Sequence, residues 1–136
     1  MRVTVDLDNA KAEDVRVTLE IAKQLGLQLV SIRRSYSKKG FHLVFYIHKE
    51  QLKHIDFDSV SKSVRHIVKE RLRQIKQLLA KLELSEIDRK LAMLRAVLGD
   101  DANRILFDLL KKDVMPTQVF FYAYFGKRIK EVFETD

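Results

Sequence analysis

RVTVDLDNAKAEDVRVTLEIAKQLG, residues 2–26, changes its periodicity partway along. In its first part Val3, Val5 and Leu7 alternate with Thr4, Asp6 and Asp8, the two-residue repeat of a strand with one buried face. Beyond it Val15, Leu19 and Ala22 form an apolar stripe at helical spacing, with Asn9 placed to cap the helix and Gly26 to stop it. A strand that passes at once into a helix sets the frame for the rest of the chain.

Two more strands are predicted downstream, LQLVSIRRS (27–35) and FHLVFYIH (41–48), joined by YSKKG (36–40) as a hairpin loop. From about Asp58 a long basic helix is expected, its stripe including Val60, Val64, Ile67, Leu72, Ile75 and Leu79. Ser85 and Asp88 have the spacing of a capping box, so a second helix should begin there and end near Gly99. Residues 100–112 fit two patterns. Ala102, Ile105, Leu106, Leu109 and Leu110 suit a helix, whereas Ile105, Phe107 and Leu109 alternate as in a strand. Pro116 then breaks the chain, QVFFYAYF (118–125) reads as a strand and KRIKEVFE (127–134) as a terminal helix.

Strand, helix, strand, strand, helix, strand is the α+β arrangement of ferredoxin-like and RRM-like folds, an antiparallel sheet with helices on one face. At 136 residues, 46% hydrophobic and 33% charged, one domain over 1–136 is expected. The absence of cysteine excludes disulfides, thiolate zinc sites and a cysteine nucleophile, and fits a reducing cytoplasm. No apolar run approaches the roughly 20 residues of a membrane-spanning helix, so no membrane partner is expected. Lys and Arg number 26 against 19 Asp and Glu, a net charge of +7 that would attract a polyanion, nucleic acid above all.

The chemistry concentrates on two strands. Residues two apart on a strand share a face and sit ~6.6 Å apart, so Asp6 and Asp8 are expected side by side on the face away from the helices. Paired carboxylates repel unless a cation lies between them, and Mg2+ or Mn2+ takes carboxylate oxygen while keeping positions open for water and phosphate. On the strand at 41–48, Phe41, Leu43, Phe45 and Ile47 form one side and His42, Val44 and Tyr46 the other. If the first set packs on the helices, His42 joins the two aspartates. The loop before it, with Lys38, Lys39 and Gly40, offers cations and backbone N–H groups to phosphate. An aspartate that merely ends a strand and a histidine that is merely exposed remain the plainer readings of these residues.

VDLD (5–8) followed by SKKGFHL (37–43) resembles the archaeo-eukaryotic primase (primase-polymerase) superfamily, which carries an h-D-h-D strand and an S-x-x-G-x-H strand in this order on an RRM-like palm. The resemblance covers residues 2–47 most closely. It implies that Asp6, Asp8 and a third acid hold Mg2+ or Mn2+ and carry catalysis. The third acid would be Asp108 of LFD (106–108), with Asp101 in reserve. It implies that Ser37, Lys38, Lys39 and His42 contact the phosphates of an incoming nucleotide, with Arg104, Lys112 and Lys127 as further contacts to phosphate or template. The implied activity is metal-dependent nucleotidyl transfer from nucleoside triphosphates on a DNA or RNA template, and Lys62, Arg65, Lys69, Arg71 and Arg73 are candidates to grip that template.

A rival reading treats KGFHLVFY (39–46) as the RNP1 strand of a non-catalytic RRM-like module that stacks bases on Phe41. The two make opposite demands. The enzyme needs His42 on the open face, and the RNA binder needs Phe41 and Phe45 there. A catalytically dead palm retained for interaction is a third possibility.

Overall fold

The computed structural model describes residues 1–35 and 39–113. They form β1 (Arg2–Leu7), α1 (Ala12–Gln24), β2 (Gln28–Arg34), β3 (Phe41–Tyr46), α2 (Lys49–Lys53), a 3-10 turn at Phe57–Ser59, α3 (Lys62–Leu79), α4 (Glu86–Val97) and α5 (Ala102–Asp113). The chain divides into two compact units, Met1–Ala102 and Asn103–Asp136. The strand expected at 118–125 and the helix expected at 127–134 lie outside the described residues. Among the described residues no helix is long and apolar enough to cross a membrane.

The first unit is α+β, with a three-stranded antiparallel sheet in the order β1-β3-β2. Burial alternates along β1, where Val3, Val5 and Leu7 are buried and Arg2 and Thr4 exposed. On β3, Leu43 and Phe45 are buried while His42, Val44 and Tyr46 are partly exposed. The register sets Val5 opposite Leu43 and Val3 opposite Phe45, so these four side chains form one continuous apolar patch. Each such side chain contributes about 1.5–3 kcal/mol by leaving water. α4 packs against β1, α3 runs along α4, and α1 lies nearest β2.

β2 is an edge strand and is exposed along its whole length, Leu29, Val30 and Ile32 included. A bulge between Leu29 and Ser31 interrupts its pairing with β3. Bulges of this kind twist a sheet edge and make it a poorer template for pairing with another chain.

Arginines tie the helical layer together. Arg71 of α3 donates to the Val97 carbonyl at the end of α4, at 2.8 Å, and Arg89 of α4 reaches the Leu79 carbonyl at the end of α3 and the Leu82 carbonyl just beyond it. Each cation thereby adds a donor to carbonyls at or just beyond a helix C-terminus. Burial pushes the Arg71 pKa down, against the opposing charge of Asp14. Thr18 of α1 donates to the Leu98 carbonyl at 2.6 Å, which connects α1 to the turn after α4. There Arg95 holds the Asp100 carboxylate, whose side chain is wholly buried and also accepts the Asp101 N–H.

Several expectations change. Asn9 does not cap α1; it sits in a left-handed turn with φ 52°. The cap is Lys11, whose backbone N–H donates to the Asp14 carboxylate at 2.8 Å. Two turn residues after the strand displace the helix start past Asn9, and the buried face becomes Val15, Thr18, Ile21 and Ala22. α3 begins at Lys62 rather than near Asp58 because Asp56 caps a separate 3-10 turn and Val60 is extended. Its buried stripe runs Val64, Val68, Leu72, Ile75 and Leu79. α2 had no counterpart in the expected elements. Ser85 caps α4 through the Asp88 N–H at 3.1 Å, and α4 ends at Val97, just before Gly99. Residues 102–113 are helical, which resolves their two patterns.

Gly40 lies close against the backbone of Leu7 and Asp8. A Cβ placed on it would collide with the Leu7 carbonyl oxygen and lie 3.2 Å from Asp8 Cα. The obstacle is main chain on the neighbouring strand, which cannot rotate aside. Gly40→Ala is expected to destabilise the protein by on the order of 3 kcal/mol, read as a lowered urea midpoint with an unchanged slope.

Candidate polyphosphate-binding face

β3 lies between β1 and β2, so one of its residues can face a neighbour on each side. For His42 the neighbours are Asp6 on β1 and Arg33 on β2. Paired residues of an antiparallel sheet point to the same face. Asp6, His42 and Arg33 therefore form a row across the sheet on the face away from the buried patch. A depression of about 320 Å³ is lined by Asp6, Arg33, Arg34, Ser35 and His42.

Within the row, His42 Nδ1 is 2.5 Å from Asp6 Oδ1, and both side chains are about one-quarter to one-third exposed. An ionised carboxylate can only accept, so Nδ1 carries the proton and donates. That fixes the ring orientation and leaves Nε2 for a ligand. Arg33 is exposed and has no partner among the described residues. Arg34 lies 5.1 Å from the centre of the Phe41 ring in a cation–π contact.

The hairpin end is closed by backbone. Ser35 N–H donates to the Gly40 carbonyl at 2.9 Å, and Gly40 N–H donates to Ser35 Oγ at 3.1 Å. Gly40 rests against Leu7 and Asp8. Asp8 is exposed and belongs to the turn after β1, not to the strand, whose pairing ends at Leu7 opposite Phe41. The pair expected side by side on one strand is thus one strand carboxylate held by His42 and one turn carboxylate.

Asp108 lies on α5, a helix and not a later strand, and its side chain is exposed. Asp101 is exposed, with its N–H bound to Asp100. Among the described residues no group of three or more His, Cys, Asp and Glu side chains is assembled that could hold a metal ion. Asp6 and Asp8 belong to the first unit and Asp108 to the second, and carboxylate oxygen is the right donor for Mg2+ or Mn2+. Lys39 is exposed beside Gly40. Arg104 and Lys112 fall on α5, while Ser37, Lys38 and Lys127 lie outside the described residues.

Three of the five basic residues assigned to template have partners within the protein. Arg65 donates to the Val60 carbonyl, Arg71 to that of Val97, and Arg73 to Glu70. The Arg73 guanidinium beside Glu70 holds that carboxylate below its ordinary range. Lys62 and Lys69 are exposed.

Arg33 is the residue that motif reading passed over. Its signal was present in the hairpin itself. Once Ser35 and Gly40 close the loop, counting outward pairs Arg34 with Phe41 and Arg33 with His42.

Phe45 is 1% exposed within the apolar core, and Phe41 alternates onto that same side. Neither is presented for stacking on the open face.

The Asp6–His42 contact predicts a specific tautomer. In 15N-detected NMR of the neutral ring, His42 should be protonated at Nδ1 and bare at Nε2, and Asp6→Ala should release Nδ1 and mix the tautomers. A wild-type ring protonated at Nε2 alone would contradict the contact. The chain matches no family model, and no curated protein and no solved structure shows significant similarity to it.

Proposed function

We propose that this chain is a palm-like domain that binds the polyphosphate of a nucleoside triphosphate on its open sheet face and works in association with nucleic acid. The observation that carries the reading is the Asp6–His42–Arg33 row. Arg33 presents a planar fork of N–H donors suited to phosphate oxygens. His42, held through Nδ1 by Asp6, turns Nε2 toward the ligand, and a ring carrying both protons donates that N–H to phosphate. Ser35 lines the same depression. A net charge of +7 suits a nucleic-acid partner.

The wider form of the proposal is a minimal member of the primase-polymerase superfamily on a full β-α-β-β-α-β plan, carrying out metal-dependent nucleotidyl transfer on a DNA or RNA template. VDLD at 5–8 and the S-x-x-G-x-H spacing from Ser37 to His42 support it. A second reading, a non-catalytic palm retained for binding, is favoured by the engagement of Asp6 with His42 and by the position of Asp108 on a helix.

Calorimetry with Mg2+–ATP tests the binding claim. Single-site uptake is expected, weakened about tenfold by Arg33→Ala and by His42→Ala, since each removes one charge-assisted hydrogen bond. A folded wild-type chain that takes up no nucleotide would overturn the reading. Primer extension with Mg2+ or Mn2+ then separates the two forms. Extension abolished by the combined Asp6→Asn, Asp8→Asn change supports nucleotidyl transfer, and binding without extension supports the non-catalytic palm.

A further inference from the structure

We infer that Tyr46 is the nucleobase platform of the open face, so that a nucleoside triphosphate lies lengthwise along β3 with its base on Tyr46 and its phosphates at His42 and Arg33. This rests on the polyphosphate reading above and adds the part of the ligand that reading leaves unplaced.

With Phe41 and Phe45 turned to the core side, Tyr46 is the aromatic ring that β3 presents on its open face, where it is partly exposed. His42, Val44 and Tyr46 share that face because they are two residues apart. Four residues at ~3.3 Å each separate His42 from Tyr46 by ~13 Å. That is about the reach of an extended nucleoside triphosphate from base to terminal phosphates. Val44 between them supplies an apolar floor for the sugar.

The surroundings of the two ends differ in chemistry. At the His42 end are Arg33 and Ser35, suited to anionic oxygen. At the other end the register sets Tyr46 between Arg2 on β1 and Gln28 on β2, both exposed. A guanidinium and an amide flanking an aromatic ring can hydrogen-bond the edge of a base that stacks on it. Tyr46 is steadied by His48, whose ring meets it edge-on at 5.2 Å with an interplanar angle of 84°. Such a contact occupies at most one face of the tyrosine ring. Aromatic platforms of this kind tolerate any base, because every base has a π-face.

The test compares Mg2+–ATP with inorganic tripolyphosphate by calorimetry on the full chain and its variants. The wild type should bind ATP more tightly than tripolyphosphate. Tyr46→Ala should weaken ATP roughly tenfold or more, the usual effect of losing one base–aromatic stack, and leave tripolyphosphate unchanged. Tyr46→Leu, which keeps apolar bulk on the sheet, should behave like Tyr46→Ala, and Tyr46→Phe should restore ATP binding. Equal affinity for the two probes, with ATP indifferent to Tyr46→Ala, would overturn the platform and leave the polyphosphate site standing. Equal weakening of both probes would assign Tyr46 a structural role and also overturn it. If neither probe binds the folded wild type, the polyphosphate reading itself fails and the platform with it.

Discussion

The position of β3 between two antiparallel partners determines which side chains of this protein can meet. Because both neighbours pair with it in a fixed register, each outward residue of β3 is the middle of a row of three. His42 receives an acid from one side and a cation from the other, and Tyr46 receives Arg2 and Gln28. A slip of one residue would send these side chains to the core face and bring Leu43 and Phe45 to water. The burial of Val3, Val5, Leu43 and Phe45 therefore stabilises the site's geometry as directly as it stabilises the fold. The close seat of Gly40 on Leu7 and Asp8 fixes the same register at the hairpin end.

Building a site on strands rather than loops has an energetic consequence. A carboxylate on the face of a sheet loses part of its hydration, and a hydrogen-bonded imidazole replaces what is lost. Asp6 and His42 thus offset one another's cost of partial burial, and their mutual contact holds both in place. Preorganisation of this sort favours ligand binding, since little side-chain freedom remains to be lost when an anion arrives. The same contact competes with any cation for the Asp6 oxygens, which is why the row reads first as a phosphate site.

Much of this was legible in the sequence, for identifiable reasons. Two-residue alternation in 2–7 and 41–46 named the buried and open faces correctly, because alternation follows from strand geometry alone. Ser85 with Asp88 marked a helix start because the cap is a local hydrogen bond. What was not legible depended on contacts distant in the chain or on closely balanced local choices. Asn9 looked like a cap, but the left-handed turn it adopts moves the helix start to Lys11. Arg71 looked like an exposed cation of a basic helix, yet its guanidinium meets the carbonyl of Val97, 26 residues on. Asp8 fell one residue past the end of its strand, a boundary that alternation cannot fix.

The fate of Arg71 bears on how the net charge should be used. A total of +7 counts every cation equally, but the fold divides them into two populations. Arg65, Arg71, Arg89 and Arg95 are partly buried and donate to carbonyls or to the buried Asp100, so their charge is less available to a polyanion. On the sheet side, Arg2 and Arg33 stand exposed at the two ends of the open face. Attraction of a polyanion depends on the charge that reaches solvent in one place, and it is screened within about 10 Å at ordinary ionic strength. A cation on the far side of the helical layer adds little to a ligand on the sheet. The cations lining the Asp6–His42–Arg33 depression, more than the sum over the chain, set how strongly that face draws phosphate.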